Sequence, residues 1–155
     1  MNKYMDVAID LSDDNFDKKY GGPFGACIVK DDKIIGKGIN RVIKNNDPTA
    51  HAEIVAIREA CKTINSYDLT GCELYTSCYP CPMCLSAIIW SNIKKVYYAN
   101  TKEDAEKIGF RDDYIYDFIK SNMNDKSILE LNEMNREEAI KVFERYMDNN
   151  DKIEY

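Results

Sequence analysis

The chain has 155 residues, 45% of them hydrophobic and 31% charged, which suits one domain with a real core and is too short for two ordinary ones. That balance excludes a disordered, collagen-like or coiled-coil chain, and no apolar stretch reaches the roughly 18 residues of a membrane span. The net charge of −6, from 21 basic and 27 acidic residues, repels phosphate backbones, and Lys18-Lys19 and Lys94-Lys95 are isolated pairs rather than a basic stripe. Neither a nucleic acid nor a membrane is therefore expected as a partner. The opening Met1-Asn2-Lys3-Tyr4-Met5-Asp6 meets an acid before any apolar run, so no signal peptide is read and the cytoplasm is the expected compartment.

Tyr4, Met5, Ala8, Ile9, Leu11 and Phe16 form a stripe of helical period, which predicts a helix over residues 3–16. Gly21-Gly22-Pro23 stops the chain. Strands are predicted over Phe24–Val29 and Ile34–Val42, with a hairpin turn at Asp31-Asp32-Lys33. Asn45-Asn46-Asp47-Pro48 reads as a loop, and Thr49 as the cap of a helix from Ala50 to Lys62. Cys72–Cys78 reads as a strand, and Cys81–Ser91 as a helix with Leu85, Ile88 and Ile89 turned inward. Val96–Ala99 reads as a further strand, and Thr101 caps a short helix to Ile108. Tyr114–Asn122 has a helical pattern and Arg136–Met147 a clear amphipathic one, whereas the polar stretch from Asn122 to Asn135 predicts no regular element. Strands alternating with helices imply an α/β sheet covered by helices.

Six cysteines in this compartment are expected to be reduced. Cys27, Cys61 and Cys72 lie in apolar surroundings and read as small buried hydrophobes. Cys81 and Cys84, in Pro80-Cys81-Pro82-Met83-Cys84, are spaced to share one helix face, and a helix N-terminus favours thiolate over thiol. The single histidine, His51, also stands at a helix start, in Thr49-Ala50-His51-Ala52-Glu53. One imidazole and two thiolates make three ligands of a tetrahedral zinc site with a position open for water. Cys78 is the residue that could close the shell and make the site structural instead. In the open arrangement zinc lowers the pKa of its water toward ~7, and Glu53, two residues from His51, is the candidate to carry the proton. His-x-Glu followed by Pro-Cys-x-x-Cys is the joint signature of the zinc deaminases of nucleobases.

With those residues the chain resembles the cytidine deaminase-like superfamily and, within it, the bacterial guanine deaminases. The resemblance rests on Gly21-Gly22-Pro23-Phe24-Gly25-Ala26, on Asn45 through Glu53 and on Leu74 through Cys84. It also rests on Gly109-Phe110-Arg111-Asp112-Asp113-Tyr114-Ile115-Tyr116 and on the ending Lys152-Ile153-Glu154-Tyr155. It runs from Tyr4 to Ile119 and resumes at the tail. The resemblance implies a three-layer α/β/α fold with a central mixed sheet. It implies one domain over 1–155, with a core over 1–120 and a helical C-terminal segment over 121–155 exchanged between two subunits of a homodimer. It implies one zinc per chain and hydrolysis of guanine to xanthine and ammonia, with attack at C2. By position the metal falls to His51, Cys81 and Cys84, proton transfer to Glu53, and handling of the substrate amino group to Asp112. Asn40, Phe24, Ala52 and Tyr155 match residues that meet the purine base. Tyr79 and Arg111 depart from the family pattern.

Alternative readings are a tRNA adenosine deaminase, which shares the core motifs, and a deaminase of guanosine or another aminated heterocycle. A zinc-stabilised structural or binding protein is the non-enzymatic alternative.

Overall fold

The structure, a computed structural model, describes residues 2–154. It contains two compact units, one up to Asp113 and one from Tyr114 onward. The first opens with α1 (Lys3–Lys18), capped by Asn2, whose side-chain oxygen accepts from the amides of Tyr4 and Met5 at 2.9 and 3.3 Å. A hairpin follows: β1 (Gly25–Lys30) and β2 (Lys33–Ile39), turned at Asp31 and Asp32, both with positive φ as a two-residue hairpin turn requires. Then come the helical turn α2 (Val42–Asn45), α3 (Ala52–Ile64), β3 (Glu73–Cys78), α4 (Pro82–Trp90), β4 (Lys95–Asn100) and α5 (Lys102–Lys107). The sheet order is β2-β1-β3-β4; β1 is antiparallel to both neighbours and β3 is parallel to β4.

Alternation along the strands builds the layers. Ala26 and Ile28 of β1 and Leu74 of β3 pack with Ala52, Ala56 and Ala60 of α3 and Ile88 of α4 on one face. Cys27, Val29 and Tyr75, their neighbours in sequence, meet Tyr4, Met5 and Ala8 of α1 on the other. Helices thus cover both faces of a mixed sheet, the three-layer architecture expected. Gly38 lets α3 approach closely, because a Cβ there would collide with the backbone carbonyl of Ala52.

Several expectations are corrected. The second strand ends at Ile39 rather than Val42, because Asn40 Oδ1 accepts from the Val42 amide at 3.1 Å and turns the chain out of the sheet into α2. Thr49 does not cap α3. Its amide and hydroxyl are bonded to Asp47 Oδ1 at 2.8 and 2.7 Å, and His51 takes the N-cap position. Ile89 is exposed rather than inward, as are Ile9 and Phe16 of the first stripe, while Ile88 is in the core. Cys61 is only half-buried, whereas Cys27 and Cys72 are buried as read. Thr101 does cap α5, in a reciprocal box with Asp104.

In the second unit α6 (Asp113–Lys120), which starts at the last residue of the first, leads through turns over residues 121–135 to α7 (Arg136–Met147). Val142, Phe143 and Met147 of α7 are exposed. The Tyr146 hydroxyl donates to the Ile153 carbonyl and ties the tail back to α7. Among the described residues no helix is long and apolar enough to cross a membrane.

Candidate active site and metal centre

Two helices of the first unit begin beside each other. His51 is the extended residue before α3, and Cys81 is the extended residue before α4, whose first residue is Pro82, with Cys84 one turn further on. His51 Nδ1 lies 3.5 Å from Cys81 Sγ and 3.6 Å from Cys84 Sγ. All three ligand atoms fall within 4.8 Å of one another. Zinc bonded tetrahedrally to one imidazole nitrogen and two thiolates sets nitrogen and sulfur about 3.5 Å apart. The three side chains therefore fit the ion as they stand.

The electrostatics agree with that donor set. The Cys84 thiol beside Cys81, with the His51 imidazole, holds Cys81 down to about 4, so it is a thiolate at neutral pH. Cys84 is pushed up by the same pairing, by burial and by the nearby carboxylate. Cys78 does not join the cluster. Burial pushes its thiol up to about 11, and its Sγ donates to the Thr101 carbonyl at 3.5 Å. Among the described residues the cluster has three candidate ligands.

Glu53 lies in the first turn of α3, buried at 6% exposure. Its Oε1 accepts from Thr76 Oγ1 at 3.1 Å, and its Oε2 accepts from Cys84 Sγ at 3.4 Å. Burial raises the carboxyl above the usual range, the direction a proton carrier needs near neutrality.

Asp112 and Asp113 are adjacent but differently engaged. Arg111 grips Asp113 with two donors, Nε to Oδ1 at 3.3 Å and Nη2 to Oδ2 at 2.9 Å, and also approaches Glu106 at 3.5 Å. Asp112 is half-buried, and that burial, with the charge on Cys81, raises its carboxyl above the ordinary range. Asn40 is buried at the end of β2, with Oδ1 committed to Val42; Gly21 packs against it so closely that a Cβ would collide with that oxygen. The Phe24 carbonyl accepts from the Asn40 amide at 3.1 Å, and the Phe24 ring meets Phe110 edge-on at 4.9 Å. Ala52 is fully buried between His51 and Glu53. Tyr155, the remaining expected substrate contact, lies outside the described residues. Tyr79 meets Tyr98 edge-on at 5.0 Å, with the Lys102 ammonium 4.9 Å from its ring centre.

Sequence reasoning missed two side chains that build this site. Asn15 of α1 is fully buried, and its Nδ2 donates to the Gly22 carbonyl at 2.7 Å and the Asn40 carbonyl at 3.0 Å, locking the two loops that carry Phe24 and Asn40. Thr76 was the other. Each interrupts the apolar side of its element with a polar group, which was the available signal.

Residues 1–100 match the cytidine and deoxycytidylate deaminase zinc-binding region. The guanine deaminase of Bacillus subtilis (strain 168) is 49% identical over 125 residues, covering 81% of this chain and 80% of that protein. The tRNA-specific adenosine deaminase of Buchnera aphidicola subsp. Schizaphis graminum is 41% identical over 111 residues, 72% of this chain and 74% of that one. The X-ray structure of guanine deaminase from Bacillus subtilis superimposes with a TM-score of 0.91 at 42% identity, covering 100% of this chain and 99% of that one. The metal of such a site is zinc, and the donor set and spacing of His51, Cys81 and Cys84 suit it. The chain belongs to the cytidine and deoxycytidylate deaminase zinc-binding family.

Proposed function

We propose that this chain is a zinc-dependent guanine deaminase, hydrolysing guanine to xanthine and ammonia in the cytoplasm, with His51, Cys81 and Cys84 holding one zinc per chain. When bound, the zinc supplies a water of lowered pKa. Glu53 takes one proton from the attacking water and gives it to the ring nitrogen beside C2, then carries the second proton of that water to the amine, which leaves as ammonia as the C2 carbonyl forms. Asp112 accepts hydrogen bonds from the substrate amino group, and the Arg111 grip on Asp113 favours Asp112 for this role, because Asp113 is already neutralised. Asn40 hydrogen-bonds the base edge, Phe24 packs against its ring, and Ala52 leaves it room.

The observation that carries the substrate choice is the similarity to guanine deaminase through most of both chains, together with a buried Glu53 beside the three-ligand cluster. The adenosine deaminases of tRNA share the zinc motifs, but a net charge of −6 opposes an RNA backbone. The test is product identity: zinc-loaded protein incubated with guanine should yield xanthine and ammonia in equal amounts, measured by chromatography and an ammonia assay. Unchanged guanine would end this reading.

We also propose a homodimer in which the segment after residue 120 is exchanged and Tyr155 of one copy closes the other's site. The whole chain then serves as one catalytic domain. The exposed apolar side chains of α7 support a partner for that segment. A tyrosine stacks on a purine face and offers its hydroxyl. Deleting residues 153–155 should leave zinc content and dimer mass intact while kcat/KM for guanine drops about tenfold or more through the lost ring and shielding. Wild-type kinetics after that deletion would mean the tail has no part in the site.

A further inference from the structure

Thr76 has the shape of a core residue and the chemistry of something else. It sits on β3, 1% exposed, opposite Ala26 of β1 and Tyr98 of β4, and on the face of β3 that carries Leu74. Its surroundings on that face are apolar, Ala26, Ile28, Ala52 and Leu74 among them. A valine would fill the same volume without burying a hydroxyl. That hydroxyl makes one bond, the 3.1 Å donation to Glu53 Oε1. The other oxygen of Glu53, Oε2, accepts from the Cys84 thiol at 3.4 Å. Oε2 therefore lies against the cluster of His51, Cys81 and Cys84, whereas the Thr76 donor holds Oε1 to the strand.

We infer that Thr76 is a positioning residue for proton transfer. Its hydroxyl pins Oε1 of Glu53 and leaves Oε2 as the one oxygen that handles the reacting proton. The terminal torsion of a glutamate is broad and nearly two-fold, so an unpinned carboxylate spends time turned away from the reacting atoms. Holding it removes that search, and small misplacements of catalytic groups cost large factors in rate. β3 is a suitable mount, an inner strand paired on both sides, and Ser77 at the next position accepts from the Gly25 amide at 3.1 Å and locks the strand end.

This inference rests on Glu53 as the proton carrier in guanine deamination, and the experiment separates the two. Zinc-loaded wild type, Thr76→Val, Thr76→Ala, Thr76→Ser and Glu53→Gln are compared for zinc content, Tm, and kcat and KM on guanine. Thr76→Val should keep zinc and the fold, with Tm lowered modestly because a buried acceptor loses its donor, KM within about twofold of wild type and kcat down about tenfold or more. Thr76→Ala, which also lacks the hydroxyl, carries the same kcat prediction should the valine variant fold poorly. Thr76→Ser keeps the donor and should stay within about threefold of wild type. Wild-type kcat in both Thr76→Val and Thr76→Ala, or a serine variant that falls as far as they do, overturns the inference while Glu53→Gln remains inactive. An active Glu53→Gln overturns both this inference and the reading beneath it.

Discussion

Glu53→Gln is expected to fold, to bind one zinc per chain, and to lose roughly 10²–10⁴ in kcat for guanine, the contribution of a positioned general acid–base group. Glutamine matches glutamate in volume and keeps a carbonyl oxygen for the Thr76 hydroxyl, whose 3.1 Å bond to Oε1 is the contact that seats the side chain. The candidate zinc ligands His51, Cys81 and Cys84 are untouched. What the amide lacks is an oxygen that can accept and return a proton. Glu53 is buried, and that burial pushes its carboxyl above the ordinary carboxylate range. Metal content by elemental analysis, Tm, and steady-state kinetics on one preparation check this. A Gln variant with most of the wild-type rate would remove Glu53 from the proton path.

His51→Ala should have the other large effect, and a different signature: zinc and activity are lost together. The chain has no other histidine to substitute, and Cys78, the spare thiol nearest in sequence to Cys81 and Cys84, donates to the Thr101 carbonyl instead. Losing the imidazole leaves Cys81 and Cys84 without the third residue that completes the cluster. The fold itself should persist, since His51 is outside the two apolar clusters that hold α1, α3 and α4 on the sheet. Elemental analysis should find well under one zinc per chain, and added zinc should not restore the rate. Full zinc occupancy in His51→Ala would show that the metal is held elsewhere.

The fold was legible where periodicity and caps are strong. The four strands were read to within about three residues of their ends, Thr101 marked the start of α5, and Arg136–Met147 formed the helix read from its amphipathic pattern. Errors came where side chains bond their own backbone. The Asn40 bond to Val42 ends β2 early, and Asp47 draws Thr49 away from the helix start. Both are local contacts that propensity does not weigh. Ile89 and Trp90 are exposed although their sequence is apolar, because α4 is hydrophobic around most of its circumference and pattern alone cannot choose the inward side. The metal cluster was readable because both halves of its motif occur at helix starts, which recur together whenever strands feed helices across one sheet. Asn15 and Thr76 were not, since their value depends on partners 25 and 23 residues away in the chain. Asp112 was distinguished from Asp113 in the sequence only by resemblance; the Arg111 grip gives that choice a physical basis.

Specificity for free guanine is tested most directly by kcat/KM of the zinc-loaded protein on guanine and adenine side by side, with an anticodon stem-loop RNA as a third substrate. A site whose buried polar groups are arranged for one hydrogen-bonding pattern leaves them unpaired with another, which costs on the order of 10⁴ in discrimination. Guanine should therefore exceed adenine by about that factor, with no ammonia from the RNA. Comparable rates on the two bases, or turnover of adenosine in the RNA ahead of guanine, would contradict the account.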